Sequence, residues 1–389
     1  MSSKRQLLVF CIAVMAMAAA MGVHESLFNN FLSDTYALGA DARGRLEFPR
    51  ELPGFLVVLM SGLLCTLAVT RVGAVAALSF GLGMAGMALW GATSYGVMLT
   101  MMLVGSAGLH LMQPVGSSIA IALSDHGNRG ARMGQVGAVG TAGTVLGTGS
   151  VWLLMDKTHP QYALGFLCAG ALGLAAAALY FTLHVPDLHQ ARSRMVLRRQ
   201  YSLYYLLEFL FGARKQIFIT FGPWVLIKVY GEAPSGIARL LMTGAIIGVV
   251  FAPLAGKVID RFGERVVMIA DGVLLTFVCI GYGYANHLVG DEATAHTIAC
   301  CCFVADNLLF ALGTSRAVYL SRLTDSAQEI NSTLAMGVSI NHIASMTIPA
   351  VAGAVWMGLG YERVFAAAAV LAVLNALVAT RVPSKRLGR

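Results

Sequence analysis

The chain has 389 residues, of which 57% are hydrophobic and only 12% are charged, and its mean hydropathy is +0.73. In soluble domains about a quarter of the residues are charged, so this composition excludes an ordinary soluble protein. The formal net charge of +8 does not indicate nucleic acid as a partner, because the basic residues fall between apolar stretches in the distribution that sets membrane topology.

Apolar stretches long enough to cross a bilayer fill nearly the whole sequence. A transmembrane helix needs roughly 20 mostly apolar residues. We therefore predict an all-α membrane protein in the lipid bilayer, with a first span that is retained because no small-residue cleavage site follows it. The sequence predicts twelve transmembrane helices, at residues 6–32, 46–69, 73–93, 96–123, 134–155, 162–184, 200–229, 235–255, 265–285, 295–321, 328–356 and 361–380.

The basic residues lie mostly on one side of the predicted membrane. Cytoplasmic loops carry an excess of Lys and Arg. We therefore expect cytoplasmic N- and C-termini and a bacterial inner (plasma) membrane location. With this orientation the outer side receives chiefly Arg43, Arg45, Arg50, Lys157 and Arg363.

A decapeptide in the first predicted span recurs in altered form in the seventh. Gly22–Phe31 and Gly212–Phe221 share a glycine and two phenylalanines at an offset of 190 residues, and the acidic Glu25 falls on the basic Lys215. Two homologous halves with a site between them are a recurring plan of secondary transporters. The sequence predicts two pseudo-symmetric six-helix halves, residues 1–185 and 201–389, joined by a basic cytoplasmic linker at 186–200.

The stretch after the eighth span carries a family resemblance. It has the sequence Gly256-x-x-x-Asp260-Arg261-x-Gly263-x-Arg265 and resembles the signature loop of the major facilitator superfamily. The resemblance extends over the whole chain through the number of spans and the two halves. It implies the fold of that family and secondary transport by alternating access, and it does not indicate a substrate group.

The fourth span supports the same resemblance. Its sequence His110-x-x-Gln113-Pro114-x-Gly116 is similar to the Arg-x-x-Gln-Gly-x-Gly pattern of the family. The copy of the signature loop in the first half departs from the family, because Thr70 stands where an Asp is usual. An inner-gate salt bridge is therefore expected at Asp260.

In a fold of this family the first, fourth, seventh and tenth helices line a central cavity. Ionisable residues in apolar helices are costly and mark functional sites by default. We expect Glu25 and Lys215 to face each other across the cavity, either as a switchable ion pair or as a static lock between two helices. The planar guanidinium of Arg214 suits a carboxylate or phosphate, which favours an organic anion as substrate. The candidate substrate contacts are Arg214, Lys215, Asn29, Asn30, Gln216, Gln113, Asn307 and Asn341; the alternative role of the amides is hydrogen bonding between helices.

Proton coupling needs groups that change protonation state during the transport cycle. The carboxylates Glu25 and Asp306 are candidates because alternating access changes their surroundings. His24 and His110 titrate near neutrality when unperturbed, with packing as their alternative role. The candidate gating residues are Gly256, Asp260, Arg261, Arg71 and Arg316. Asp271 and Glu208 are expected to be gate or structural charges. Glu47, Arg50 and Glu51 are expected to be solvated interfacial charges, with an outer gate network as the alternative.

Neither an enzyme nor an ATP-driven pump is predicted. The chain has no Gly-x-x-x-x-Gly-Lys-Ser/Thr loop for nucleotide phosphates and no His-Glu-x-x-His spacing for a metal. The consecutive cysteines Cys300–Cys302 point in different directions on a helix and cannot close one metal site. We therefore expect no cofactor and no metal.

The sequence therefore predicts a proton-coupled secondary transporter that moves a small organic anion or amphipathic metabolite. We expect a functional monomer, because one chain contains a complete central pathway. An exporter of drugs or other hydrophobic compounds is the alternative within the same class. A non-transporting membrane receptor on a transporter fold is the alternative from a different class.

Overall fold

The apolar sequence folds into helices throughout the computed structural model, which describes residues 3–64, 66–124, 129–185, 197–324 and 326–384. Two short 3-10 helices, Arg199–Tyr201 and Phe310–Gly313, accompany the α-helices. In chain order the α-helices are α1 (Ser3–Tyr36), α2 (Ala40–Arg45), α3 (Glu47–Phe55), α4 (Val57–Leu63), α5 (Val69–Trp90), α6 (Tyr95–Ala122), α7 (Arg129–Leu154), α8 (Tyr162–Thr182), α9 (Ser202–Lys228), α10 (Pro234–Phe262), α11 (Glu264–Gly283), α12 (Ala285–Leu288), α13 (Glu292–Leu309), α14 (Thr314–Leu323), α15 (Ala327–Leu359) and α16 (Tyr361–Ala379).

Ten helical segments of the described residues are long and apolar enough to cross a membrane. The predicted second span, residues 46–69, is divided among short helices. Pro53 lies inside α3 and cannot donate a backbone hydrogen bond, and this charged helix ends two residues later, at Phe55. The predicted seventh span corresponds to α9, whose 27 residues include Glu208, Arg214 and Lys215. Neither region is among the ten segments, so the total of twelve spans stays a prediction.

Two predicted turns are helical in the structure. The helix α10 continues to Phe262, so Gly256, Asp260 and Arg261 lie on its last turns and not in a loop. The break comes at Gly263, whose φ of 83° lies in the left-handed region that glycine adopts without strain. Arg71 likewise lies in the first turn of α5, because that helix begins earlier than the predicted third span.

The described chain divides into two compact units. One consists of Met1–Ala37, Leu56–Arg192 and Glu232–Ile246; the other consists of Leu38–Phe55, Ser193–Gly231 and Ile247–Arg389. The short helices α2 and α3 therefore group with the second unit, and the first part of α10 groups with the first. Residues 186–196 of the predicted linker lie outside the described residues, and the division into halves at this linker stays a prediction.

Close packing in the first unit depends on glycines of α7. The helix α1 packs against α7 and α8, and α5 packs against α6 and α8. A Cβ atom on Gly143 or Gly147 would overlap the backbone carbonyl oxygens of Met15 and Ala19 on α1. These two glycines therefore allow α1 and α7 to approach closely, as small residues do between membrane helices.

The second unit is arranged around α9 and α15. The helix α9 packs against α15 and α16, α11 packs against α16 and α13, and α2 and α3 pack against α15. Aromatic side chains form one core at the start of α9, where Tyr204 is 1% exposed. The polar residues predicted for the seventh, tenth and eleventh spans all lie in this unit, so their mutual geometry can be described directly.

Candidate functional site

Three consecutive predicted site residues on α9 contact three different helices. Arg214 forms an ion pair with Asp306 of α13, Lys215 donates to Asn341 of α15, and Gln216 donates to Glu47 of α3. Neighbouring helix positions diverge by about 100°, so one turn can present polar groups to three neighbours. The structure thus brings predicted substrate and proton-coupling residues together in one unit.

Lys215 differs from the other cations around it in having a neutral partner. Its Nζ atom lies 2.9 Å from Oδ1 of Asn341, and within the described part of the chain no carboxylate lies within 4 Å of this ammonium. The neighbouring charged groups act on it only at longer range. Four arginines of the same unit, in contrast, each have a carboxylate partner: Arg43, Arg50, Arg214 and Arg316.

The carboxylate of Glu47 on α3 is the centre of a buried hydrogen-bond network. The side chain is 0% exposed and accepts hydrogen bonds from Arg43, Arg50 and Gln216, the last at 2.7 Å. Buried carboxylates require such charged and hydrogen-bonded partners. The interpretation of this segment as solvated interfacial charge was therefore wrong for Glu47.

Glu51, one turn further along α3, extends the network to α15. Arg50 pairs with it at 2.8 Å, and its Oε2 atom lies 3.1 Å from Nδ1 of His342. Both Glu51 and His342 are buried. The interpretation as solvated interfacial charge was therefore wrong for Glu51 as well, although the acids and bases three and four positions apart from Arg43 to Glu51 were an available signal for a network. His342 was not among the predicted site residues.

Asn341 connects Lys215 to a second ion pair. Its Nδ2 atom lies 3.5 Å from Oε2 of Glu208, and Oε1 of Glu208 accepts from Nε of Arg316 at 3.0 Å. The guanidinium carbon of Arg316 lies 3.4 Å from the centroid of the Phe211 ring, which fixes the position of this side chain. Polar contacts therefore run continuously from α9 through α15 to α14.

The predicted anion contact Arg214 is occupied by a protein carboxylate. Arg214 and Asp306 are both buried and form an ion pair that is also a hydrogen bond. This pair joins a predicted substrate contact to a predicted proton-coupling residue. Asn307, the residue after Asp306, donates to the Phe303 carbonyl oxygen of its own helix at 2.8 Å.

The candidates on α1 have different environments. Glu25 is exposed and has no ion-pair partner among the described residues of its unit. His24 is buried among aromatic rings, with the Phe28 ring centroid 5.0 Å away. Asn30 donates to the backbone oxygen of Glu232 at 2.8 Å, and Asn29 is buried.

On α6 the two candidates also differ in exposure. His110 is buried, and its Nδ1 atom lies 2.9 Å from the Ser106 carbonyl oxygen one turn earlier. Gln113 is exposed. Their proposed functional roles stay predictions.

Among the gating candidates other than Arg316, Arg71 has the most defined contacts. Arg71 donates to the backbone carbonyl oxygen of Phe181 at 2.8 Å. Its guanidinium carbon also lies 3.9 Å from the centroid of the Phe181 ring. Asp260 and Arg261 are exposed at the end of α10, and Gly256 is exposed one turn before them. Gating by these residues stays a prediction.

Comparisons with known proteins agree on a transporter fold. The family model of the Major Facilitator Superfamily matches residues 52–340. The nucleoside transporter NupG aligns with a TM-score of 0.79 and 14% sequence identity over 97% of this chain and 98% of that chain. The inward-open xylose transporter XylE from E. coli aligns with a TM-score of 0.76 and 13% identity over 99% and 98% of the two chains.

A human protein has the same architecture. The human organic anion transporter MFSD10 (TETRAN) aligns with a TM-score of 0.65 and 13% identity, over 97% of this chain and all (100%) of that chain. No curated protein matches the chain at the level of sequence. At these identities the structural likeness establishes the fold and leaves the substrate to be argued from this chain's own residues.

Proposed function

The chain belongs to the Major Facilitator Superfamily, and from this premise we propose that it is a proton-coupled secondary transporter of a small organic anion or amphipathic metabolite. Members of this family are integral membrane proteins that bind small-molecule substrates. The proposal includes alternating access of the two halves, a functional monomer, and a bacterial inner membrane location with cytoplasmic termini. The Lys/Arg distribution supports that orientation.

The observation that carries the proposal is the ammonium of Lys215. It has three donors, and the amide oxygen of Asn341 takes one of them. An ammonium in a partly buried position without a carboxylate within 4 Å favours a mobile anion as its counter-charge, because electrostatic attraction is stronger there than in bulk water. The neighbouring side-chain amides of Gln216 and Asn341 offer neutral hydrogen bonds to the rest of such a substrate.

Proton coupling is supported by Glu25. This carboxylate is exposed on a long apolar helix and has no ion-pair partner among the residues of its unit that the structure describes. A charged carboxylate in contact with lipid is expensive, so an exposed Glu on such a helix is favoured where it faces a water-filled pathway or carries a proton. Both situations suit a residue that exchanges protons with the solvent.

The name of one structural neighbour provides context for the substrate class. MFSD10 is named an organic anion transporter, and another neighbour is named a D-xylose-proton symporter. The neighbours therefore include one transporter of organic anions and one that is coupled to protons. The proposal combines these two properties in this chain on the strength of Lys215 and Glu25.

The first test is ligand stabilisation of the purified protein. A ligand that binds the folded state raises the apparent melting temperature by mass action. The probes are lactate, gluconate, glycerol 3-phosphate and glucose 6-phosphate, with xylose and uridine as neutral comparisons. We expect an anion to raise the melting temperature, and Lys215→Ala to abolish that increase.

Lys228→Ala is the matched control, because Lys228 lies at the exposed end of the same helix. It should preserve the increase. Stabilisation by a neutral probe alone, or an anion effect that survives Lys215→Ala, would contradict the anion site. Proteoliposomes with an imposed pH gradient then test transport itself, and Glu25→Gln with intact proton-driven accumulation would exclude Glu25 as a residue that exchanges the coupled proton with the solvent.

A further inference from the structure

Asp271 on α11 is a buried carboxylic acid with an unsatisfied atom. Its exposure is 2%, and Oδ1 has no hydrogen-bond partner among the described residues. The charged groups that act on it are Arg214 from α9, Asp306 from α13 and Arg316 from α14. A buried carboxylate without a hydrogen bond or an ion pair is strongly unfavourable, so the state of this acid requires an explanation.

The other elements packed against α11 are the uncharged second 3-10 helix, α12, whose His287 lies beyond the far end of α11 from Asp271, and α16. The backbone of α16 approaches α11 at Gly272, where a Cβ atom would overlap the Ala372 carbonyl oxygen. Between Val364 and Ala379, α16 has no ionisable side chain. The electrostatic environment of Asp271 is therefore determined by the three groups from α9, α13 and α14.

Both arginines near Asp271 already have carboxylate partners. Arg214 pairs with Asp306, and Arg316 pairs with Glu208. Two guanidinium groups thus face three carboxyl groups, and the charge of an ionised Asp271 would have no compensation within ion-pair distance. A proton on Asp271 removes this uncompensated charge.

The same unit also contains a positive charge that lacks an oppositely charged partner. Lys215 is a cation without a carboxylate partner among the described residues, and polar contacts lead from it through Asn341 and Glu208 to Arg316. Arg316 is also one of the charged groups that act on Asp271. Across the network cations and carboxylates are equal in number, and Lys215 and Asp271 are the two charges without an ion-pair partner among the described residues. The cations are Arg43, Arg50, Arg214, Lys215 and Arg316, and the carboxylates are Glu47, Glu51, Glu208, Asp271 and Asp306.

We propose that Asp271 is a proton-binding residue, and that its proton and a substrate anion at Lys215 bind together. This inference rests on the proposed function. With neither bound the network has no net charge; binding only the proton, or only a monoanion, gives it a net charge of one unit, whereas binding both leaves it neutral. Each therefore promotes binding of the other, and the two are expected to move in the same direction.

The proton at Asp271 is tested without any substrate by infrared spectroscopy of the purified full-length protein. At pH 5 we expect a carbonyl stretching band of a protonated carboxylic acid, which Asp271→Asn removes. In Asp271→Glu the band should persist at a shifted frequency, because the protonated group itself has changed. Asp306→Glu should leave the frequency unchanged, because Asp306 is ionised beside Arg214.

Glu292→Gln is the control, because this exposed acid lies in the first turn of α13, the helix of Asp306. It should preserve the band. An unchanged spectrum in Asp271→Asn overturns the proposal, and so does a band that shifts in Asp306→Glu and not in Asp271→Glu. These spectra do not depend on transport, so failure of this inference is distinguishable from failure of the proposed function, which is decided by ligand stabilisation and Lys215→Ala.

Discussion

Asp271 is a second acid near the Arg214–Asp306 ion pair. Its presence should reduce the stability that the protein loses when one partner of the pair is removed. Removing one partner of a buried ion pair typically costs about 3–5 kcal/mol, because the other charge remains without compensation. Here Asp271 can become the new counter-charge by releasing its proton. One Nη2 donor of Arg214, which has no hydrogen-bond partner among the described residues, is available for that contact.

We therefore predict that Asp306→Asn and Asp271→Asn are each tolerated better than their combination. The single variants should each lower unfolding stability by less than about 1 kcal/mol, whereas the double variant leaves Arg214 with no acid and should cost about 3–5 kcal/mol. Apparent melting temperatures of the four proteins in detergent measure this coupling. Additive decreases would contradict the exchange of partners.

The three residues on α9 also indicate how far sequence reasoning reaches. The repeat of Gly22–Phe31 identified Arg214, Lys215 and Gln216 as unusual, because polar residues in an apolar helix are evident from composition alone. Which neighbour each one contacts could not be predicted. The 100° step between positions distributes them over three helices, and the positions of those helices are set by packing between distant parts of the chain.

At the scale of elements, the predicted spans agree with the helices where the hydropathy pattern is simple. The spans at 162–184 and 361–380 correspond to α8 and α16 within three residues at each end. The sequence predicts the span at 46–69 as one helix, because the segment as a whole has more apolar than charged residues. The structure divides it, and the charged part around Glu47 satisfies its hydrogen bonds against α9 and α15.

Glycines on α7 provide a test of packing between elements. Gly147 faces the backbone of α1, whereas nothing lies within 4 Å of a Cβ atom at Gly137 on the same helix. Gly147→Ala should destabilise the protein by roughly 1–3 kcal/mol, because the new methyl group overlaps the Ala19 carbonyl. Gly137→Ala should stabilise it by up to about 1 kcal/mol, because alanine is the better helix former.

Opposite shifts in apparent melting temperature are therefore expected from two identical substitutions ten residues apart on one helix. The comparison controls for helix propensity, since both positions gain the same methyl group. Equal shifts for Gly147→Ala and Gly137→Ala would show that the approach of α7 to α1 does not depend on the glycine at position 147.

For the whole molecule, the balance of charges in the second unit constrains the energetics of transport. A monoanion at Lys215 and a proton at Asp271 together add no net charge. A membrane potential acts on the net charge that moves, by about 2.3 kcal/mol per charge for each 100 mV. Cotransport of one monoanion with one proton should therefore be driven by a pH gradient and should not respond to the potential.

The prediction is tested in proteoliposomes with the anion from the panel that stabilises the protein most. A potassium gradient with valinomycin, set to about 100 mV, should change accumulation less than twofold, whereas transport of one net charge would change it by roughly fiftyfold. An outside pH that is lower by one unit should raise accumulation by up to about tenfold, because one proton is coupled to each anion.

Substitution of Asp271 separates proton coupling from binding in the same experiment. In Asp271→Asn the side chain at position 271 is neutral without binding a proton. Exchange of internal for external anion should therefore continue, whereas accumulation driven by the pH gradient should be lost. The anion then carries its own charge across the membrane, and accumulation should become sensitive to the potential. Two outcomes would contradict the charge balance between Lys215 and Asp271: transport by the wild-type protein that responds to the potential, and pH-driven accumulation that survives Asp271→Asn. Either outcome would require a proton site elsewhere, and Glu25 would be the first residue to test.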